Sequence, residues 1–70
     1  MESREDKFKR LANSRTNAAL QKLRLIANLA NKSNYEWTED DARKIINVLE
    51  EQVKVVRNKF TSKLKKSFEL

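Results

Sequence analysis

The stretch that decides the fold is TEDDARKIINVLEEQVKVVRNKF, residues 38–60. Apolar side chains recur in it, and just beyond it, at steps of three and four residues, which places them on one face of an α-helix. Thr38 is a residue type that caps helix N-termini, and the three carboxylates after it suit the positive end of the helix dipole. The pattern predicts a helix from about 38 to 67, widened at Ile45 and Phe68. Its face, here named the apolar seam, consists of Ala42, Ile46, Leu49, Val53, Val56, Phe60 and Leu64.

The first half of the chain carries a similar apolar stripe, which predicts a helix from about 3 to 31. Within it lies RLANSRTN, residues 10–17, where Asn, Ser and Thr side chains compete with the backbone for hydrogen bonds. An alternative is therefore a three-helix domain with a break near 14–17. Continuity is favoured because the stripe keeps its phase across that run: Phe8, Leu11, Ala12, Ala19, Leu23, Ile26, Leu29 and Ala30.

The connection KSNYEW, residues 32–37, is short, and it predicts an antiparallel two-helix hairpin that forms a single all-α domain over residues 1–70. A hairpin of this size buries little apolar surface, so we expect two copies to assemble as a homodimeric four-helix bundle. Tyr35 and Trp37 are the aromatic residues of this loop. The residues expected in the core or the interface are Phe8, Leu20, Leu25, Ile46, Leu49, Val53, Val56 and Phe60.

The amino-acid composition excludes several kinds of catalytic and metal-binding site. The chain has no Cys, His, Gly or Pro, so disulfides, thiolate and imidazole catalysis, zinc sites and glycine-rich phosphate loops are all excluded. We expect a protein that is not an enzyme and that uses no metal or cofactor. No apolar run approaches the length of a membrane span, and the acidic start MESRED is unlike a signal peptide. The expected location is the cytoplasm.

The charges are arranged in blocks. Residues 7–32 carry seven Lys and Arg and no carboxylate, although the whole chain has 10 Asp and Glu and a net charge of +6. The helix dipole accounts for acid at helix starts and base at helix ends, but it does not account for the absence of Glu–Lys pairs from this long run. A basic balance of this kind favours an anionic partner.

A polar stripe lies opposite the apolar side of the first helix, consisting of Arg10, Asn13, Asn17, Gln21, Arg24, Asn28 and Asn31. Arg and the carboxamides pair with base edges, and Lys and Arg neutralise phosphate. The leading hypothesis is a nucleic-acid-binding accessory or regulatory protein. Its expected contacts are Arg10, Asn13, Asn17, Gln21, Arg24, Asn28, Lys54, Lys63 and Lys66.

Two other interpretations of the stripe stay open. It could line a polar helix–helix interface, in which case the protein would be an adaptor or inhibitor that docks through the stripe or through the aromatic loop. It could also be an ordinary solvated face.

A resemblance to other proteins bears on the predicted end of the first helix and the loop that follows it. Residues 8–45 resemble short uncharacterised bacterial and mobile-element helical proteins that share an RLIxNLxN[KR]SNYxWT-like pattern, carried here by Arg24–Leu29 and Asn31–Thr38. The resemblance implies no activity. It marks the end of the first helix and the loop as one unit, and Ala27 stands where such relatives tend to have Gly, which favours a continuous helix.

Overall fold

The computed structural model describes residues 1–64, which contain two α-helices and no strand: α1, Arg4–Asn28, and α2, Glu39–Thr61. The all-α, two-helix architecture is thereby confirmed. The chain divides into two compact units, Met1–Glu36 and Trp37–Leu70, each built around one helix. In the described part of the chain, neither helix is long and apolar enough to cross a membrane.

Helix α1 begins with a serine cap and runs unbroken through RLANSRTN. The Oγ of Ser3 accepts the backbone N–H of Asp6 at 3.0 Å, and Glu5 and Asp6 lie in the first turn. The alternative of a break near 14–17 is wrong. Asn, Ser and Thr each cost a helix only about 0.5 kcal/mol relative to Ala, and the run contains neither the Gly nor the Pro that would interrupt it.

Helix α1 ends at Asn28, three residues before the predicted end. The last turns tighten into i→i−3 hydrogen bonds, from Leu29 N–H to the Ile26 carbonyl at 3.0 Å and from Asn31 N–H to the Asn28 carbonyl at 3.3 Å. Asn31 then turns the chain, because its Oδ1 accepts the N–H of Ser33 at 3.0 Å. Asn31 therefore belongs to the connection, and the helical part of the polar stripe ends at Asn28.

Helix α2 begins with a reciprocal capping box, which confirms Thr38 as the N-cap. The Thr38 Oγ1 accepts the N–H of Asp41 at 3.1 Å, and the Thr38 N–H donates to the Asp41 Oδ2 at 3.0 Å. Two backbone donors that would otherwise lack intrahelical partners are satisfied together. The cap fixes where the apolar seam enters the helix.

Helix α2 ends at Thr61 and not near 67. Hydroxyl groups bind the last carbonyls: Thr61 Oγ1 donates to the Arg57 carbonyl at 2.9 Å, and Ser62 Oγ donates to the Lys59 carbonyl at 3.1 Å. Such local hydrogen bonds compete with further helical turns. The continuing apolar spacing predicted the longer helix, but Leu64 lies in a turn, and the positions of Lys66 and Phe68 lie outside the described residues.

The helices carry large apolar side chains that the single chain leaves open. No side chain among residues 1–64 is fully buried. Of the eight residues expected in the core or interface, Leu49 is half-buried, and the others are exposed: Phe8, Leu20, Leu25, Ile46, Val53, Val56 and Phe60. One chain alone does not make a core of this set, and its role in an interface stays a prediction.

Candidate nucleic-acid interface

The polar stripe lies opposite the apolar stripe of α1, and its six helical members are all exposed. They follow steps of three and four residues along the helix, from Arg10 to Asn28, so the periodicity of α1 brings them onto one face. The regular geometry of α1 is sufficient to bring these side chains onto one face, and no contact with another element is needed.

Arg10 differs from the rest of the stripe because its charge is already compensated. Its Nε donates to the Oε2 of Glu2 at 2.8 Å, and its terminal nitrogen donates to Oε1 at 3.1 Å. This two-point hydrogen bond to Glu2 raises the pKa of Arg10 above its usual value and outweighs the opposing effect of desolvation. Arg10 was predicted as a nucleic-acid contact, but the structure places it in an ion pair.

The part of the polar stripe that has no carboxylate nearby therefore begins after Arg10. Asp6 lies one turn before Arg10, at i−4, and Glu2 closes over the same end. Beyond them the face continues with Asn13, Asn17, Gln21, Arg24 and Asn28, here named the carboxamide patch. It spans about 22 Å at 1.5 Å per residue.

Arg24 is the cation of the carboxamide patch. It forms no ion pair within residues 1–64, and it stands three residues after Gln21 and four before Asn28. Lys7, Arg15 and Lys22 of α1 also form no ion pair in that part of the chain, whereas Lys9 binds Glu5 at 3.1 Å. The patch thus combines one uncompensated guanidinium with four carboxamides, each of which can both donate and accept hydrogen bonds.

The charges of residues 39–64, which comprise α2 and the three residues after it, divide into an acidic and a basic segment. In residues 39–51, five carboxylates accompany two cations, and both cations are paired: Arg43 with Glu39 at 3.2 Å and Lys44 with Asp40 at 3.1 Å. Residues 52–64 carry four cations and no carboxylate. Two of those cations, Lys54 and Lys63, were predicted as phosphate contacts, and neither forms an ion pair within the described residues.

The aromatic loop residues lie in a connection with a defined backbone. Tyr35 is 49% exposed, and its N–H donates to the Asn31 carbonyl at 3.1 Å. Trp37 is half-buried, directly before the N-cap of α2. Because Tyr35 belongs to one compact unit and Trp37 to the other, the two residues are treated as separate candidates for contact with a partner.

Sequence reasoning missed Glu2 as a determinant of the site. The usual pairing rule joins residues three or four apart within a helix, whereas Glu2 precedes the N-cap and reaches Arg10 across eight residues. The available signal was an acidic residue before a serine cap, with an arginine two turns into the helix.

No metal or known relative adds to this assignment. In the part of the chain that the structure describes, no three Asp or Glu side chains come together as a metal site would require. Comparison of the chain with protein-family models, with curated proteins and with solved structures gives no match.

Proposed function

We propose that this protein is a non-enzymatic nucleic-acid-binding accessory protein of the cytoplasm that contacts its ligand through the carboxamide patch of α1. The observation that carries the proposal is the face of α1 from Asn13 to Asn28 opposite the apolar stripe, which is exposed, rich in Asn and Gln, and free of carboxylates. A solvated helix face without a ligand is better built from Glu, Lys and Ala, which stabilise a helix more than Asn does.

The patch has two kinds of group that suit this ligand. Carboxamides form paired hydrogen bonds with adenine edges, and an arginine such as Arg24 does so with guanine. The cations without ion pairs, including Lys54 and Lys63, supply attraction to phosphate that does not depend on base sequence. Repulsion from the polyanion is low because the nearest carboxylates on this face, Glu2 and Asp6, lie at its N-terminal end.

The test is a binding titration, by fluorescence anisotropy, of the full chain against labelled duplex and single-stranded DNA and RNA over a salt series. If about four phosphates are neutralised, the logarithm of the binding constant should fall against the logarithm of salt with a slope of about −3 to −4. Absence of binding, or binding that does not weaken as salt rises, would contradict the proposal.

A matched pair of variants locates the contact. Asn17→Glu places a carboxylate in the carboxamide patch, and Asn47→Glu makes the same change on the exposed polar side of α2. We expect Asn17→Glu to weaken nucleic-acid binding about tenfold, because it removes a base contact and repels phosphate. Asn47→Glu should change affinity about twofold or less. Equal effects would place the contact elsewhere.

A second candidate function is protein adaptor, and the exposure of Tyr35 favours it. Its ring is 49% open, and its backbone is held by the Asn31 turn, so a partner would meet a pre-positioned aromatic group. For an adaptor, Tyr35→Ala should abolish capture of a protein partner in cross-linking from the native cell. Under the nucleic-acid proposal, the same variant leaves the anisotropy titration unchanged.

A further inference from the structure

The apolar seam of α2 is the largest feature that nucleic-acid binding leaves unexplained. Ile46, Val53, Val56 and Phe60 are each more than half exposed in the single chain. Most of the stability of a protein helix comes from packing its apolar face, and the single chain leaves this face of α2 unpacked. A surface of this kind on a folded helix indicates a partner that covers it.

We propose that the partner is a second copy of this chain, which packs its own α2 antiparallel against the apolar seam. The proposal is independent of nucleic-acid binding, because it uses the apolar seam of α2 and no residue of the carboxamide patch of α1. Two features of α2 carry it: the spacing of the seam and the division of charge along the helix.

The helical part of the seam has the same spacing when read in either direction. From Ala42 to Phe60 the steps are four, three, four, three and four, so the seam is symmetric about residue 51. An antiparallel copy therefore presents its knobs at matching heights. Small Ala42 then lies opposite large Phe60, and Leu49 lies opposite Val53, which is the alternation of volumes that close packing requires.

The charges of α2 distinguish the two possible orientations. A parallel copy would set the acidic half of α2, residues 39–51, beside its equivalent, and the basic half, residues 52–61, beside its own. An antiparallel copy sets acid beside base. Within α2 the acidic half has five carboxylates and two cations, and the basic half has Lys54, Arg57 and Lys59 without a carboxylate, so the antiparallel alignment sets net negative charge beside net positive charge at both ends. Opposite charges flanking a helical seam select partner and orientation.

The first experiment measures assembly of the full chain by sedimentation equilibrium. We expect a dimer that dissociates on dilution. Val53→Glu, at the centre of the seam, should raise the dissociation constant at least about tenfold by burying a charge. The matched control Val48→Glu changes a valine that is 61% exposed and lies off the seam, and it should alter the constant about twofold or less.

The second experiment measures orientation. The chain has no Cys, so a spin label attached at Asp40→Cys or at Glu51→Cys is unique, and both positions lie on the polar side of α2. In the antiparallel dimer, residue 51 lies level with its equivalent, whereas the two copies of residue 40 are separated by about 33 Å along the axis. Pulsed electron paramagnetic resonance should give a much longer distance for the label at 40 than for the label at 51.

Three results would overturn the proposal. A monomer at all concentrations would mean that the seam is covered from within the chain or stays open. Equal label distances at 40 and 51 would indicate a parallel dimer. Equal weakening by Val53→Glu and Val48→Glu would place the interface elsewhere on α2. None of these results depends on whether the chain binds nucleic acid.

Discussion

Helices α1 and α2 have nearly the same length but distribute their side chains in opposite ways. Helix α1 carries four carboxamides and Arg24 on the face opposite its apolar stripe, and a serine cap with one side-chain hydrogen bond starts it. Helix α2 has a reciprocal capping box and segregates its apolar from its polar residues more strongly than α1 does. The two proposals use this difference: the apolar seam of α2 is proposed to pack against a second copy, and the carboxamide patch of α1 is proposed to contact a polar ligand.

The caps give the largest expected difference in stability. Thr38→Ala removes one partner of the α2 capping box and should cost about 1–2 kcal/mol of unfolding free energy, whereas Ser3→Ala, which removes a single hydrogen bond, should cost about 0.5–1 kcal/mol. Denaturation followed by circular dichroism measures both. Equal losses would show that the two caps contribute alike and would weaken the contrast between the helices.

We expect the asparagines of the carboxamide patch to lower the unfolding free energy of the protein and to strengthen its binding to nucleic acid. Asn13→Ala together with Asn17→Ala should raise the unfolding free energy by about 1 kcal/mol, since Ala is the better helix former, and should weaken nucleic-acid binding about tenfold. The matched pair Asn47→Ala with Asn58→Ala in α2 should give a similar gain in stability without loss of binding. If the α1 pair binds as tightly as the native chain, the carboxamide patch is only a solvated face.

The capping box of α2 should make stability depend on acid pH. The Thr38 backbone N–H, and then its side chain, hold the pKa of Asp41 below its usual value of 3.8. Because the folded pKa is the lower one, the stabilisation is complete above the unfolded value and is lost as the pH falls through the folded value. In Asp41→Asn, the helical ellipticity should lack the part of its decrease between pH 5 and 2 that comes from protonation of Asp41. Asp40→Asn leaves the capping box intact and should retain it.

Freeing Arg10 should give the smallest effect. Glu2→Gln removes the partner of Arg10 on the stripe, and Glu5→Gln makes the same charge change beside Lys9, which projects from another side of α1. We expect Glu2→Gln to tighten nucleic-acid binding about threefold and to steepen the salt dependence by about one phosphate. Glu5→Gln should give less than half of this gain in affinity. The reverse order would move the ligand away from the stripe.

The sequence was sufficient for the elements of the fold whose causes are local. Thr38 with its following carboxylates predicted the start of α2 within one residue, and the phase of the apolar stripe predicted that α1 is continuous. The helix ends were predicted too late, because apolar spacing continues past Asn28 and Thr61 while backbone and hydroxyl hydrogen bonds end the helices there.

The candidate site was predictable as a face but not in its details. A helical period places Asn13, Asn17 and Gln21 together from sequence alone. The pairing of Arg10 with Glu2 depends on how the residues before the cap fold back over the first two turns, and periodicity has no information about them. The homodimer expected from the sequence stays a prediction, because one chain does not show what covers the apolar seam.

The division of charge in α2 also gives this helix an orientation in an electric field. The net charge of several units in each half, negative in residues 39–51 and positive in residues 52–61, outweighs the half charges of the backbone dipole and gives a moment of opposite direction. A polyanion within about one Debye length, roughly 8 Å at physiological salt, therefore exerts a torque that turns the C-terminal end of α2 toward it. In the proposed antiparallel dimer the charge moments of the two α2 helices would cancel. The dimer would then approach a polyanion without a preferred end of α2.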